Sequence, residues 1–247
     1  MVPALAQTQN HTFVKYQHLF FDWDHTLWDF EKNSEMSLRN LYSDLGLPDL
    51  GLPSFELFFD KYITINDLKW DLYRAGTIDK QTLRETRFRE TFEHFGVSAK
   101  DVAWEMELRY IKETPYQNHL IESAAEVLEE LKVAGCVLHV ITNGFHESQN
   151  IKFTESGLEP LFDLLLCSDQ VGVNKPDPKI FRRALQLTGA ERKESLMIGD
   201  SLIADCIGAR EQGIDQVYFN PKKVPHREKL TFEITHLEEL VPIILNG

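Results

Sequence analysis

Four apolar runs in this sequence end in side chains that can do chemistry. His18-Leu19-Phe20-Phe21 leads into Asp22, Asp24 and Thr26, and Val137-Leu138-His139-Val140-Ile141 leads into Thr142 and Asn143. Leu164-Leu165-Leu166-Cys167 is followed by a loop that carries Lys175, and Ser195-Leu196-Met197-Ile198 runs into Gly199-Asp200-Ser201, with Asp205 further on. Two carboxylates one residue apart, Asp22 and Asp24, repel unless a shared proton or a cation relieves them, which suggests a hard metal such as Mg2+. The competing reading of that pair alone is an Asp-rich strand-to-loop turn, because Asp favours turns.

Those runs need a scaffold that brings them together. Short, continuous apolar stretches read as strands buried on both faces, and such strands belong to parallel sheets. From Ile121 onward the chain alternates helix and strand, which predicts an α/β fold with a doubly wound, Rossmann-like parallel sheet. Gly135 and Gly157 stop two of the helices, while Asp177 and Pro178 are suited to the N-cap and first position of another. In such a sheet the strand C-terminal ends face one crevice, so Asp22, Thr142, Lys175 and Asp200 converge there. Several carboxylates, an ammonium, a hydroxyl, an amide and a helix N-terminus after Gly199 suit a Mg2+ ion with a phosphate held on it.

Residues 30–116 have a different rhythm. Phe88, Phe92 and Phe95, and Val102, Met106 and Tyr110, recur at helical spacing, with breaks at Leu47–Pro53 and Ala75–Thr77. This predicts an inserted unit of about four helices, with residues 1–29 and 117–247 forming the core around it. Its aromatics Trp70, Tyr73, Phe88 and Trp104 are expected to pack its own interior.

Composition narrows the partners. The chain has 247 residues, 43% of them hydrophobic, and a net charge of −13, which supports a sizeable core and argues against a nucleic-acid polymer or an anionic membrane as partner. An anionic small molecule remains compatible, because a local cation and a lysine invert the field inside a site. Cys136, Cys167 and Cys206 lack metal-ligand spacing and sit in or beside apolar segments, so they read as small buried hydrophobes of a reduced protein. Met1–Gln7 is too short and weakly apolar for a signal peptide, and no run has membrane-spanning length, so a cytoplasmic location is expected.

Together these motifs make the chain resemble the haloacid dehalogenase (HAD) superfamily, in the branch with a helical cap inserted after the first strand. Asp22-x-Asp24-x-Thr26 is similar to its first motif, Thr142 to the second, Lys175 to the third, and Gly199-Asp200-Ser201 with Asp205 to the fourth. The resemblance implies that Asp22 is a nucleophile forming an aspartyl-phosphate and that Asp24 is a general acid and base. It further implies that Thr142 binds phosphoryl oxygens, that Lys175 offsets their charge, and that Mg2+ is held by Asp22, the Asp24 backbone carbonyl and Asp200. Asp205 would serve in the second shell or through water. Singly, each has a plainer reading: Lys175 as a surface lysine, Thr142 as a turn residue, Asp205 as an exposed helical acid.

Dehalogenases of this superfamily need neither an acid at the second carboxylate position nor a metal, so Asp24 and Asp200 favour hydrolysis of small-molecule phosphate esters. Phe21–Glu31 also resembles the pyrimidine 5′-nucleotidase-like branch, which implies nucleoside 5′-monophosphates as substrates. Thr26, Asn143, Trp28 and Phe30 are the candidate substrate contacts. Trp28 and Phe30 could stack on a base or pack a hinge between core and cap, and Asn143 could contact substrate or shape its turn. The alternatives are a sugar-phosphate phosphatase or a β-phosphoglucomutase-like mutase, and more remotely a haloacid dehalogenase or a non-catalytic binding protein.

Overall fold

The computed structural model describes residues 14–246. Met1–Gln7, considered above for targeting, lie outside the described residues. Six parallel strands form one sheet in the order β3-β2-β1-β4-β5-β6, with β1 His18–Phe21, β2 Val137–Thr142, β3 Phe162–Cys167, β4 Ser195–Gly199, β5 Asp215–Phe219 and β6 Phe232–Ile234. β1 lies at the centre, with Phe21 opposite Val140 on one side and Ile198 on the other. That register carries Asp22 onto the same edge as Thr142 and Asp200, and the bond from the Asp22 amide to the Ile198 carbonyl (2.8 Å) continues the ladder by one residue.

Apolar layers cover both faces of the sheet. On one, Leu19, Phe21, Leu138, Val140, Leu196 and Ile198 pack with Val127, Leu128 and Leu131 of helix α5, Ala124–Val133. On the other, Phe20, Ile141 and Met197 meet Ile180, Phe181 and Ala184 of the helix Pro178–Thr188, which Asp177 caps by accepting from the Lys179 amide (2.8 Å). The period-2 alternation of β1 thus feeds two cores at once, as expected for a strand covered on both sides.

Between β1 and β2 the chain leaves the sheet as four helices: α1 Phe30–Asp44, α2 Phe55–Arg74, α3 Lys80–His94 and α4 Lys100–Glu113. They have a core of their own, in which Leu38, Leu41, Phe58, Tyr62, Phe88, Phe92 and Met106 are buried. A buried Arg87 grips Glu107 with two bonds (2.7 and 2.9 Å) and donates to Asn66. The expectation for the aromatics needs correcting. Phe88 stacks on Tyr62 inside this core, with ring centroids 4.6 Å apart, but Trp104 is 43% exposed. Trp70 and Tyr73 lie on the last turns of the long helix α2, beyond the helical core, and pack on Phe145 of the sheet domain (5.1 and 5.3 Å).

The two connections to the helical unit are zipped together. Asp29 donates to the His119 carbonyl (3.0 Å), Ile121 to that of Leu27 (2.9 Å), and the Asn33 amide pairs with both backbone groups of His119.

A buried histidine of β2 also lies away from the strand ends. His139 of β2 is sandwiched against Phe20 and His18, and burial, with the neighbouring His18, lowers its imidazole pKa to about 4. The unfolded chain therefore binds a proton that the folded chain refuses between the ordinary value of about 6.5 and 4. This contribution is intact above that window and is lost as pH falls through it. Denaturant unfolding is expected to show a fall of about 2 kcal/mol between pH 7 and pH 5, and His139→Leu should flatten that slope.

Candidate active site

The strand ends assemble a buried charge cluster. Lys175 is 1% exposed, and its Nζ donates to Asp22 Oδ1 (2.8 Å), lies 2.7 Å from Asp205 Oδ1, and donates to the Ile141 carbonyl (2.6 Å). Burial pulls the pKa of this lysine down, yet the Asp205 and Asp22 carboxylates hold it above the ordinary value. Asp205 is fully buried and its other oxygen accepts from the Ser201 amide (3.0 Å). Gly199 makes room for it, because a Cβ at Gly199 would sit 2.2 Å from Asp205 Oδ2. Gly199→Ala is therefore expected to displace Asp205, lowering stability by about 1–3 kcal/mol with loss of most activity; thermal unfolding and turnover check it.

Asp22, Asp200 and Asp205 each offer one oxygen, and these lie within 4.8 Å of one another. Burial and the Asp22 charge push the Asp200 carboxyl above the usual carboxylate range. Burial does the same to Asp205, against the pull of Lys175. Three carboxylates against one lysine leave an excess of negative charge, which fits a hard divalent cation with oxygen ligands.

Other candidates are brought to this edge with different partners from those expected. Thr26 is buried and its hydroxyl is committed to Asp200, donating to Oδ1 (3.2 Å) and accepting from the amide (3.1 Å). It orients Asp200 and has no donor left for a phosphoryl oxygen. The Asn143 side-chain amide braces the Lys175 backbone, donating one N–H to its carbonyl (3.0 Å) and accepting from its amide (2.7 Å), with its second N–H left over. Thr142 accepts from the Gly144 amide (3.1 Å), which leaves its hydroxyl proton free. The helix expected after Gly199 starts at Leu202 with a wide π-type stretch, Leu202–Ile207, and Ser201 caps its N-terminus by accepting from the Ala204 amide (3.1 Å).

Trp28 is a correction of the same kind. It is fully buried, its indole N–H donates to the Gln117 carbonyl (2.9 Å) across the hinge, and no face is open for a base. Phe30, at the first turn of α1, is half-buried and packs on His25 (4.7 Å) and Trp28 (6.2 Å). The hinge reading is the one that fits both.

Asp24 has partners that the sequence did not suggest. On the helix His146–Glu155 (α6 hereafter), Lys152 Nζ donates to Asp24 Oδ1 (2.6 Å) and Gln149 Nε2 donates to Oδ2 (2.6 Å). The available signal was their spacing: three residues apart, they share one helix face.

The matches to known proteins follow the geometry. Residues 16–213 match the model of the haloacid dehalogenase-like hydrolases. The chain belongs to this family. As a HAD-like hydrolase it is 31% identical over 229 residues to the pyrimidine 5′-nucleotidase PynA of Streptococcus pneumoniae, covering 92% of this chain and 94% of that one. It is 30% identical over 237 residues to the glyceraldehyde 3-phosphate phosphatase of Pyrococcus abyssi, covering 92% and 93%. Among solved structures, the putative HAD-hydrolase YfnB of Bacillus subtilis, described as bound to magnesium and revealing interdomain movement, superposes with a TM-score of 0.83 at 29% identity, covering 94% of this chain and all of the other. Among the described residues of this HAD-like chain, no helix is long and apolar enough to cross a membrane.

Proposed function

We propose that the chain is a Mg2+-dependent phosphomonoester hydrolase that works through an aspartyl-phosphate on Asp22, with nucleoside 5′-monophosphates as substrates and the helical unit as a cap over the crevice. The observation that carries the reading is the cluster of Asp22, Asp200, Asp205 and Lys175 at one sheet edge, in a chain similar to a pyrimidine 5′-nucleotidase.

Asp22, Asp200 and the Asp24 backbone carbonyl would hold the cation, with Asp205 fixing the cluster beside Lys175. When bound, the cation supplies charge neutralisation, which lets a phosphate approach three carboxylates. The chain's own groups do the rest. An Asp22 oxygen attacks phosphorus, so that an Oδ–P bond forms while the P–O bond to the leaving alcohol breaks. The leaving oxygen takes a proton from Asp24. A water then attacks the same phosphorus and gives a proton to Asp24, the Oδ–P bond breaks to regenerate the Asp22 carboxylate, and the phosphorus leaves as inorganic phosphate carrying the water oxygen. The hydroxyl proton of Thr142 would serve the phosphoryl oxygens, and Lys175 would offset their charge. The family motifs support this division of labour.

Base recognition does not rest on Trp28. Trp70 and Tyr73 of α2 pack on Phe145, next to the Thr142-Asn143-Gly144 loop, and would offer a base an aromatic wall there. Cation and aromatic contacts from Lys80 and Arg84 to Phe145, with their ion pairs to Glu147, add positive charge at the same wall. That combination suits a planar, anionic substrate.

A panel assay tests the substrate class: with Mg2+, phosphate release from UMP, dUMP and dTMP is expected to exceed that from sugar phosphates. Preference for glyceraldehyde 3-phosphate would instead support the second reading, a sugar-phosphate phosphatase, which the similarity to the Pyrococcus abyssi enzyme favours.

A further inference from the structure

In this structure the two carboxylates of the first strand end are each held by a lysine of their own. Lys175 holds Asp22 from the loop after β3, and Lys152 holds Asp24 from α6. The second pair is as short as the first. Lys152 has only 7% of its side chain exposed, and its Nζ sits 3.9 Å from the centroid of Trp28 and 5.6 Å from that of Phe30. Its ammonium therefore lies between Asp24 and the two hinge aromatics. Gln149, one turn earlier, occupies the remaining Asp24 oxygen, and its own carbonyl oxygen is buried without a partner. Gly144 leaves space for this amide, since a Cβ there would fall 1.7 Å from Gln149 Nε2.

A buried ion pair is a weak source of stability, because well-packed apolar groups often serve as well. Here the pair is aimed at one carboxylate beside the crevice, and the glycine of the phosphate loop is shaped around it. We propose that Lys152, with Gln149, is the positioning residue of Asp24, fixing the carboxylate's place beside the crevice and tying it to the hinge at Trp28 and Phe30. The inference rests on the assignment of Asp24 as acid and base given under Proposed function. A group that sets the reach of a proton donor and acceptor acts on turnover and leaves substrate affinity alone, since a misplacement of about 1 Å can cost roughly 100-fold.

The test uses the full chain, Mg2+ and p-nitrophenyl phosphate, whose leaving group needs no proton, so Asp24 is read in its role as base. Asp24→Asn is expected to lower kcat about 100-fold. Lys152→Met, which keeps the apolar stem over Trp28, should lower kcat about 10-fold or more with KM within about threefold, and Lys152→Arg should recover a large part of the loss. In the Asp24→Asn background, Lys152→Met should cost nothing further, because a positioning residue has nothing left to position. Gln149→Leu is read in the same way, so a poorly folded Lys152 variant does not decide the question. If Asp24→Asn leaves kcat unchanged, the acid–base assignment itself falls. If Asp24→Asn lowers kcat while Lys152→Met and Gln149→Leu do not, or do so additively with it, the assignment stands and the positioning role is wrong. A rise in KM at unchanged kcat also overturns it, by making Lys152 a substrate ligand.

Discussion

Asp22→Asn is expected to abolish turnover, by roughly 10⁴-fold or more, as removal of a covalent nucleophile does elsewhere. The amide matches the carboxylate in size but is a poor nucleophile, and nothing nearby replaces it. Asp24 is bound to Lys152 and Gln149, and Asp205 is fully buried behind Lys175. Stability should move the other way. Asp22 is among the charges that hold the Asp200 and Asp205 carboxyls above their usual range, so its neutralisation relieves repulsion. Thermal unfolding without added divalent cation is expected to be unchanged or improved, and stabilisation by Mg2+ should weaken. A variant that loses activity because it unfolds would contradict this account of the cluster.

The second large effect is Lys175→Met, which is expected to destroy both activity and stability. Lys175 is the partner of two carboxylates, one fully buried. Removing one member of a buried pair leaves an uncompensated charge, at a cost of about 3–5 kcal/mol. The double variant Lys175→Met/Asp205→Asn separates the two roles. With Lys175 and the fully buried Asp205 both neutral, much of the stability should return, because the orphaned charge at Asp205 carries most of the penalty while Asp22 keeps 14% of its side chain exposed to water. Turnover should not return, because no cation then offsets the phosphoryl charge beside Asp22. Chemical denaturation of the three proteins, alongside phosphate release, checks both expectations. Recovery of activity in the double variant would remove Lys175 from the chemistry.

The architecture was legible because each strand is a short apolar run and each chemical group follows one directly. The central place of β1 follows from its alternation of two buried faces, and Asp22, Lys175, Asp200 and Asp205 meet because parallel register carries all strand ends to one edge. What sequence could not convey is which polar atom is already taken. Thr26 turns to Asp200 across 174 residues of chain, Asn143 to Lys175 across 32, and Trp28 to Gln117 across 89. Each looks free for a substrate in isolation and is bonded to a partner remote in sequence. Lys152 was overlooked for the opposite reason. A lysine on a mixed polar helix reads as solvated, and only the packing of α6 beside the turn at Asp24 buries it.

The central claim is the covalent role of Asp22, and acid quench during the first turnover tests it most directly. The protein is mixed with UMP and Mg2+ and stopped in acid within a single turnover, and its peptides are then mapped by mass spectrometry. The account predicts phosphate on the peptide that contains Asp22, stable in acid and lost in mild base, appearing before free phosphate accumulates. Free phosphate released in that turnover with no phosphorylated peptide, or with the phosphate on another residue, would contradict it.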